Sequence, residues 1–124
     1  MKILVAEDDI DSARLLEIIL KNNEHTVEVV GDGKEALERL RESRFDALLT
    51  DWMMPKMDGV TLIKRVREEV ESAPLILMIT AGGDDESRQK ILQAGADELL
   101  SKPYESSDVV RVLTDGFARF TQPE

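Results

Sequence analysis

Leu48-Leu49-Thr50-Asp51-Trp52-Met53-Met54-Pro55-Lys56-Met57-Asp58-Gly59 opens as an aliphatic run and stops at a carboxylate. A short apolar run with polar residues on both sides reads as a buried strand. Pro55 fixes φ, and the Asp58-Gly59 pair offers a residue that tolerates φ > 0, so the segment after Asp51 reads as a loop. Asp51 therefore lies where a buried strand surfaces. In open α/β sheets, ligands bind beyond those strand ends.

The rest of the chain repeats the pattern. Lys2 to Ala6 predicts a first strand, ended by Glu7-Asp8-Asp9. Ile10 to Asn23 has helical spacing, with Ala13, Leu15 or Leu16, Ile18, Ile19 and Leu20 joining Ile10 on the apolar side, and Asp9 or Asp11 suited to cap it. Thr26 to Val30 predicts a second strand carrying Glu28, and Lys34 to Ser43 a helix with Ala36, Leu37 and Leu40 inward. Asp46 to Thr50 is the third strand. Val60 to Val70 is a helix with Val60, Ile63, Val66 and Val70 on one side. Leu75 to Thr80 is the most apolar strand and is expected to be central. Gly82-Gly83-Asp84 turns into a helix to about Gln93, which Gly95 closes. Glu98 to Ser101 is a short fifth strand. Ser106 or Ser107 then caps a helix through Phe120 that turns Val109, Val112, Leu113, Phe117 and Phe120 inward, and Thr121 to Glu124 frays.

Strand and helix thus alternate five times. That predicts an α/β fold, a (βα)5 doubly wound parallel sheet, with the flavodoxin-like strand order 2-1-3-4-5. At 124 residues the chain reads as one domain, residues 1–124. It has no cysteine, which excludes disulfides and thiolate metal sites. No signal peptide or membrane span is legible, so a soluble cytoplasmic protein is expected. A net charge of −10 argues against direct nucleic-acid binding, because phosphate contacts need a basic face.

A parallel sheet brings all strand carboxyl ends to one side. The first strand delivers Glu7 and Asp8 there, the third Asp51, the fourth Thr80 and the fifth Lys102. Three close carboxylates repel one another unless a cation compensates. Mg²⁺ prefers such oxygen ligands and keeps waters that a phosphate can replace, and a lysine suits phosphoryl oxygens. An aspartate in that setting can act as a nucleophile on phosphorus. Each residue alone has a plainer reading: Asp8 or Asp9 as a helix cap, Asp58-Gly59 as a turn, Thr80 as a polar strand residue, Lys102 as a solvated side chain. Met53, Met54 and Met57 read as packing, and His25, in a distant turn, receives no role. The coincidence of four strand ends out of five favours the site.

Those same residues carry a resemblance. Ile3 to Asp9, Asp51 to Gly59, Ile79-Thr80-Ala81, Gln93 to Asp97 and Lys102-Pro103-Tyr104 resemble, in order and over essentially the whole chain, the receiver domain of bacterial two-component response regulators. The resemblance implies Asp51 as phospho-acceptor, Asp8 as a direct Mg²⁺ ligand, Glu7 acting through a metal-bound water, and a backbone carbonyl ligand from Met53. It implies that Thr80 and Lys102 meet the phosphoryl group and that the Lys102-Pro103 peptide is cis. It further implies a sensor histidine kinase or histidine phosphotransfer protein as donor, a downstream output domain or protein as receiver of the signal, and a homodimer formed on phosphorylation. Two positions depart from the family pattern. Leu99 stands where the family usually has an aromatic, and Thr80-Ala81 is followed by Gly82-Gly83, a loop then expected to carry the switch.

Three other functions compete. A Mg²⁺-dependent aspartyl-phosphate phosphohydrolase usually carries Asp-x-Asp, but Met53 occupies that second position. A flavodoxin-like cofactor binder needs a loop that welcomes phosphate, and Glu7-Asp8-Asp9 repels it. A phosphate-independent pseudo-receiver has no need of an intact acid pair with Asp51, Thr80 and Lys102.

Overall fold

The computed structural model describes residues 1–81 and 85–120. Five strands, β1 (Lys2–Ala6), β2 (Thr26–Val30), β3 (Ala47–Asp51), β4 (Leu75–Thr80) and β5 (Glu98–Ser101), alternate with five helices. The helices are α1 (Ile10–Asn22), α2 (Gly33–Glu42), α3 (Gly59–Glu69), α4 (Asp85–Ala94) and α5 (Ser106–Phe120). The sheet is wholly parallel and ordered β2-β1-β3-β4-β5, as the alternation predicts. The middle strand is β3 rather than β4. β4 is nonetheless interior and buried along its whole length, which is why it is the most apolar.

The two faces of the sheet form separate cores. Leu4, Leu48, Ile76 and Met78 pack under α2, α3 and α4 through Leu37, Leu62, Ile63 and Ile91. Ile3, Val5, Leu49, Leu77 and Ile79 pack under α1 and α5 through Leu16, Leu20, Val109 and Leu113. This sorting follows from the two-residue period of a strand.

Three helix starts, those of α1, α2 and α3, are capped by aspartates at the carboxyl end of the sheet. Asp9 accepts from Ser12 N at 2.9 Å, Asp32 from Glu35 N at 2.8 Å and Asp58 from Thr61 N at 2.8 Å. The first turn of α5 differs from its expectation: Ser106 and Ser107 lie inside the helix. The Glu105 carbonyl accepts from Asp108 N, and the Asp108 carboxylate accepts from Glu105 N at 2.9 Å, a local ring that needs no serine. α1 also differs. Ala13, Leu16, Ile19 and Leu20 are buried, but Ile10 is 74% exposed and Leu15 and Ile18 face solvent, because the helix turns only a narrow stripe to the sheet. Phe120, expected inward, is exposed at the end of α5.

Gly59 has a role other than the one its sequence suggests. It is the first residue of α3 with no positive φ; the positive φ in this loop is at Lys56, 67°. Gly59 is required by space, since a Cβ would lie 2.4 Å from the Asp51 carbonyl oxygen. Gly95 does take a positive φ, 121°, after α4. There Arg67 donates to the Gly95 carbonyl at 2.7 Å and to Asp97 at 2.8 Å, tying α3 to the start of β5. Gly82-Gly83-Asp84 and Thr121 to Glu124 lie outside the described residues, and with them the expected loop switch and the expected frayed end.

Candidate functional site

Asp51 is the last residue of β3, which ends one position beyond the expected strand end at Thr50. Its neighbours across the sheet bring the rest. β1 ends at Ala6, so Glu7 and Asp8 follow directly, and Glu7 N donates to Val30 O at 3.0 Å. Glu7, Asp8 and Asp51 each present a carboxylate oxygen within 4.8 Å of the others. β4 ends at Thr80, whose carbonyl accepts from Lys102 N at 2.7 Å, pinning the two strand ends together. The Lys102-Pro103 peptide is cis. The Lys102 Nζ lies 3.3 Å from Glu7 Oε1 and 3.6 Å from Asp51 Oδ2.

The electrostatics follow from this crowding. Glu7 is 3% exposed. Burial, and then the Asp51 charge, push its carboxyl up to about 7, against a hydrogen bond from Asp9 N and the pull of Lys102. Burial opposes the charge on Lys102, but Asp51 and Glu7 together outweigh it and hold the ammonium above its ordinary range. One ammonium thus serves two carboxylates, with Asp8 more exposed beside them. A divalent cation with oxygen ligands fits this donor set, because it supplies the positive charge the cluster lacks.

Asp51 Oδ1 accepts from Trp52 N at 2.9 Å, which orients the carboxylate from its own backbone. Asp51, Trp52, Met53, Thr80, Ala81 and Lys102 line an open cleft of about 350 Å³. Met53 is 75% exposed on this cleft, whereas Met54 and Met57 pack into the core as expected. Thr80 is buried at the base. All six residues singled out in the sequence therefore come together at one end of the sheet. His25 lies at the opposite end, its Nδ1 3.1 Å from the Met1 amine.

The sequence pattern gives Tyr104 no role in the site, yet its phenol feels the site's charge. Burial, and then the charges of Glu7 and Asp51, push its phenol up to about 12. Its place two residues after Lys102 was the available signal. Leu99 lies opposite Met78 in the β4–β5 ladder, half-buried against the α4 side of the sheet. Tyr104 packs on the α1–α5 side, so the two are not interchangeable.

Comparison with known proteins accords with this geometry. The model of the response regulator receiver domain family matches residues 3–114. Over 98% of its length the chain is 38% identical to the transcriptional regulatory protein CpxR homolog of Haemophilus influenzae, and covers 52% of that protein. It is 33% identical to the autoinducer 2 sensor kinase/phosphatase LuxQ of Vibrio vulnificus over 88% of the chain and 13% of that protein. Thus the chain spans about half of one relative and a small part of the other. The receiver domain of sensor histidine kinase PA1611 from Pseudomonas aeruginosa has a magnesium ion coordinated in its active-site cleft. It superposes with a TM-score of 0.86 at 29% identity, covering 94% of this chain and 97% of that one. With the five-stranded order and the acid cluster in place, this chain belongs to the response regulator receiver domain family of two-component signalling.

Proposed function

We propose that Asp51 is the phospho-acceptor and that the other five residues serve its reaction. The observation that carries this reading is the convergence of Glu7, Asp8 and Asp51 within 4.8 Å, with the Lys102 ammonium 3.3 Å from Glu7 and 3.6 Å from Asp51. Asp8, Asp51 and the Met53 carbonyl would hold Mg²⁺, with Glu7 reaching it through a water. Bound there, the ion offsets the carboxylate charge and that of the incoming phosphoryl oxygens.

The carboxylate of Asp51 attacks the phosphorus of a phosphohistidine. An O–P bond forms, the P–N bond breaks, and its electron pair stays on the imidazole. Lys102 is held charged by the two carboxylates and is placed to take a phosphoryl oxygen as its new partner. Thr80, buried beside it, supplies a hydroxyl for another. Hydrolysis later returns Asp51. On this reading the chain catalyses only the gain and loss of its own phosphoryl group. The donor is a sensor kinase or phosphotransfer protein, and the output is read from the α4–β5–α5 side, where Leu92 is exposed and Leu99 half-exposed, by an output domain or a second copy.

Incubation with acetyl phosphate, with and without Mg²⁺, tests this by intact mass. A gain of one phosphoryl group that needs both Mg²⁺ and Asp51, and is lost in Asp51→Asn, is the expected outcome. A Mg²⁺-dependent gain that persists in Asp51→Asn assigns the acceptor to another residue.

A further inference from the structure

Among the described residues, three polar side chains are almost fully buried: Glu7, Thr80 and Thr50. The first two belong to the acid site. Thr50 has no part in it so far, although it directly precedes Asp51 in an otherwise aliphatic strand. Burying a hydroxyl is costly unless it has a partner, so its partner is informative.

That partner is the Asp51 backbone. Thr50 Oγ1 donates to the Asp51 carbonyl oxygen at 3.0 Å; the Met54 sulfur, at 3.9 Å, is the longer and weaker alternative for its single proton. Gly59 closes over the same carbonyl so tightly that a Cβ there would lie 2.4 Å from the oxygen. The other end of this peptide is held as well. Trp52 N donates to Ile79 O at 3.3 Å and to the Asp51 carboxylate Oδ1 at 2.9 Å. The Trp52 carbonyl accepts from Gly59 N at 2.7 Å. One peptide plane therefore joins the Thr50 hydroxyl at one end to the reacting carboxylate at the other. Tilting that plane moves the N–H that orients Oδ1.

We propose that Thr50 is a positioning residue for Asp51. Its hydroxyl fixes the Asp51–Trp52 peptide plane, and through the Trp52 N–H it fixes the direction in which the carboxylate meets phosphorus. This rests on the reading of Asp51 as phospho-acceptor, and the test separates the two.

Thr50→Val keeps the branched shape and removes the hydroxyl; Thr50→Ser keeps the hydroxyl and removes the methyl group. Thr50→Ala serves as the second apolar variant if Val disturbs the fold. The rate of Mg²⁺-dependent labelling by acetyl phosphate is measured beside two phosphate-free signals, hydrogen exchange at the Trp52 amide and the Asp51 carbonyl carbon resonance. Thr50→Val should label about three- to tenfold more slowly, the loss expected of one net hydrogen bond. It should also speed Trp52 exchange and move the Asp51 carbonyl resonance, and Thr50→Ser should restore all three. Wild-type behaviour in Thr50→Val, or a Thr50→Ser that behaves like Thr50→Val, overturns the proposal. If the wild-type protein takes no label, the phospho-acceptor reading is what fails. The two phosphate-free signals then still decide whether the hydroxyl sets the peptide plane.

Discussion

Glu7 shows how one buried side chain links the pocket to solution conditions. In the folded protein without metal its carboxyl is raised from 4.5 to about 7, mainly by burial. Across that interval the folded state keeps a proton that the unfolded chain has released. The stability of the metal-free protein therefore falls as pH rises from about 4.5 to about 7, by roughly 3 kcal/mol from this group. Glu7→Gln should flatten that part of the curve, measured by urea unfolding in the presence of a chelator. A curve that stays as steep in the variant means that Glu7 does not carry the effect. Mg²⁺ binding should show the opposite sign, weakening as pH falls through about 7, because a proton on Glu7 removes charge from the cluster.

Asp58 and Gly59 are adjacent at the start of α3 but act through different physics. Asp58 caps the helix, and its replacement by alanine should cost about 1 kcal/mol without touching the acid cluster. Gly59→Ala drives a Cβ against the Asp51 carbonyl oxygen and the Met78 side chain, 2.4 and 2.8 Å away. It should cost about 1–3 kcal/mol and, if Asp51 is the acceptor as proposed, also slow its labelling, since the strain falls on the Asp51 backbone. Urea unfolding and the acetyl phosphate assay measure both. Equal labelling rates in the two variants would mean that the loop absorbs the added methyl away from Asp51. The element also explains what the pattern could not tell. The helical period marks Ile10, Leu15 and Ile18 as apolar, but which apolar residues meet the sheet depends on how α1 is rolled against β1 and β2.

At the scale of the molecule, the site is a property of the sheet rather than of any segment. Residues 7, 51, 80 and 102 are far apart in the chain and adjacent only because β1, β3, β4 and β5 run parallel in neighbouring register. An ion held by β1 and β3 together binds the folded chain and not the unfolded one. Mg²⁺ at about a hundred times its dissociation constant should then stabilise the whole fold by ~2.7 kcal/mol. Asp8→Asn should lose most of that gain in a thermal melt. An undiminished gain would move the ion away from the acid pair.

Local pattern was enough to set the five-fold alternation, the parallel sheet and the side of it on which the acid cluster sits. Strand runs such as Leu75 to Thr80 and breakers such as Pro74 act locally, and right-handed crossovers leave few ways to assemble them. It also delivered Glu7, Asp8, Asp51, Thr80 and Lys102 to that side, because each ends a strand or lies within two residues of its end. Tertiary structure alone decided the rest. That Gly59 is needed for room and not for φ, that Tyr104 feels the acid pocket, and that the Thr50 hydroxyl finds the Asp51 carbonyl all depend on distances across packed elements. Local pattern records where a residue lies along its own element. Contacts between elements follow from how those elements close on one another, and that is settled only when the whole core packs.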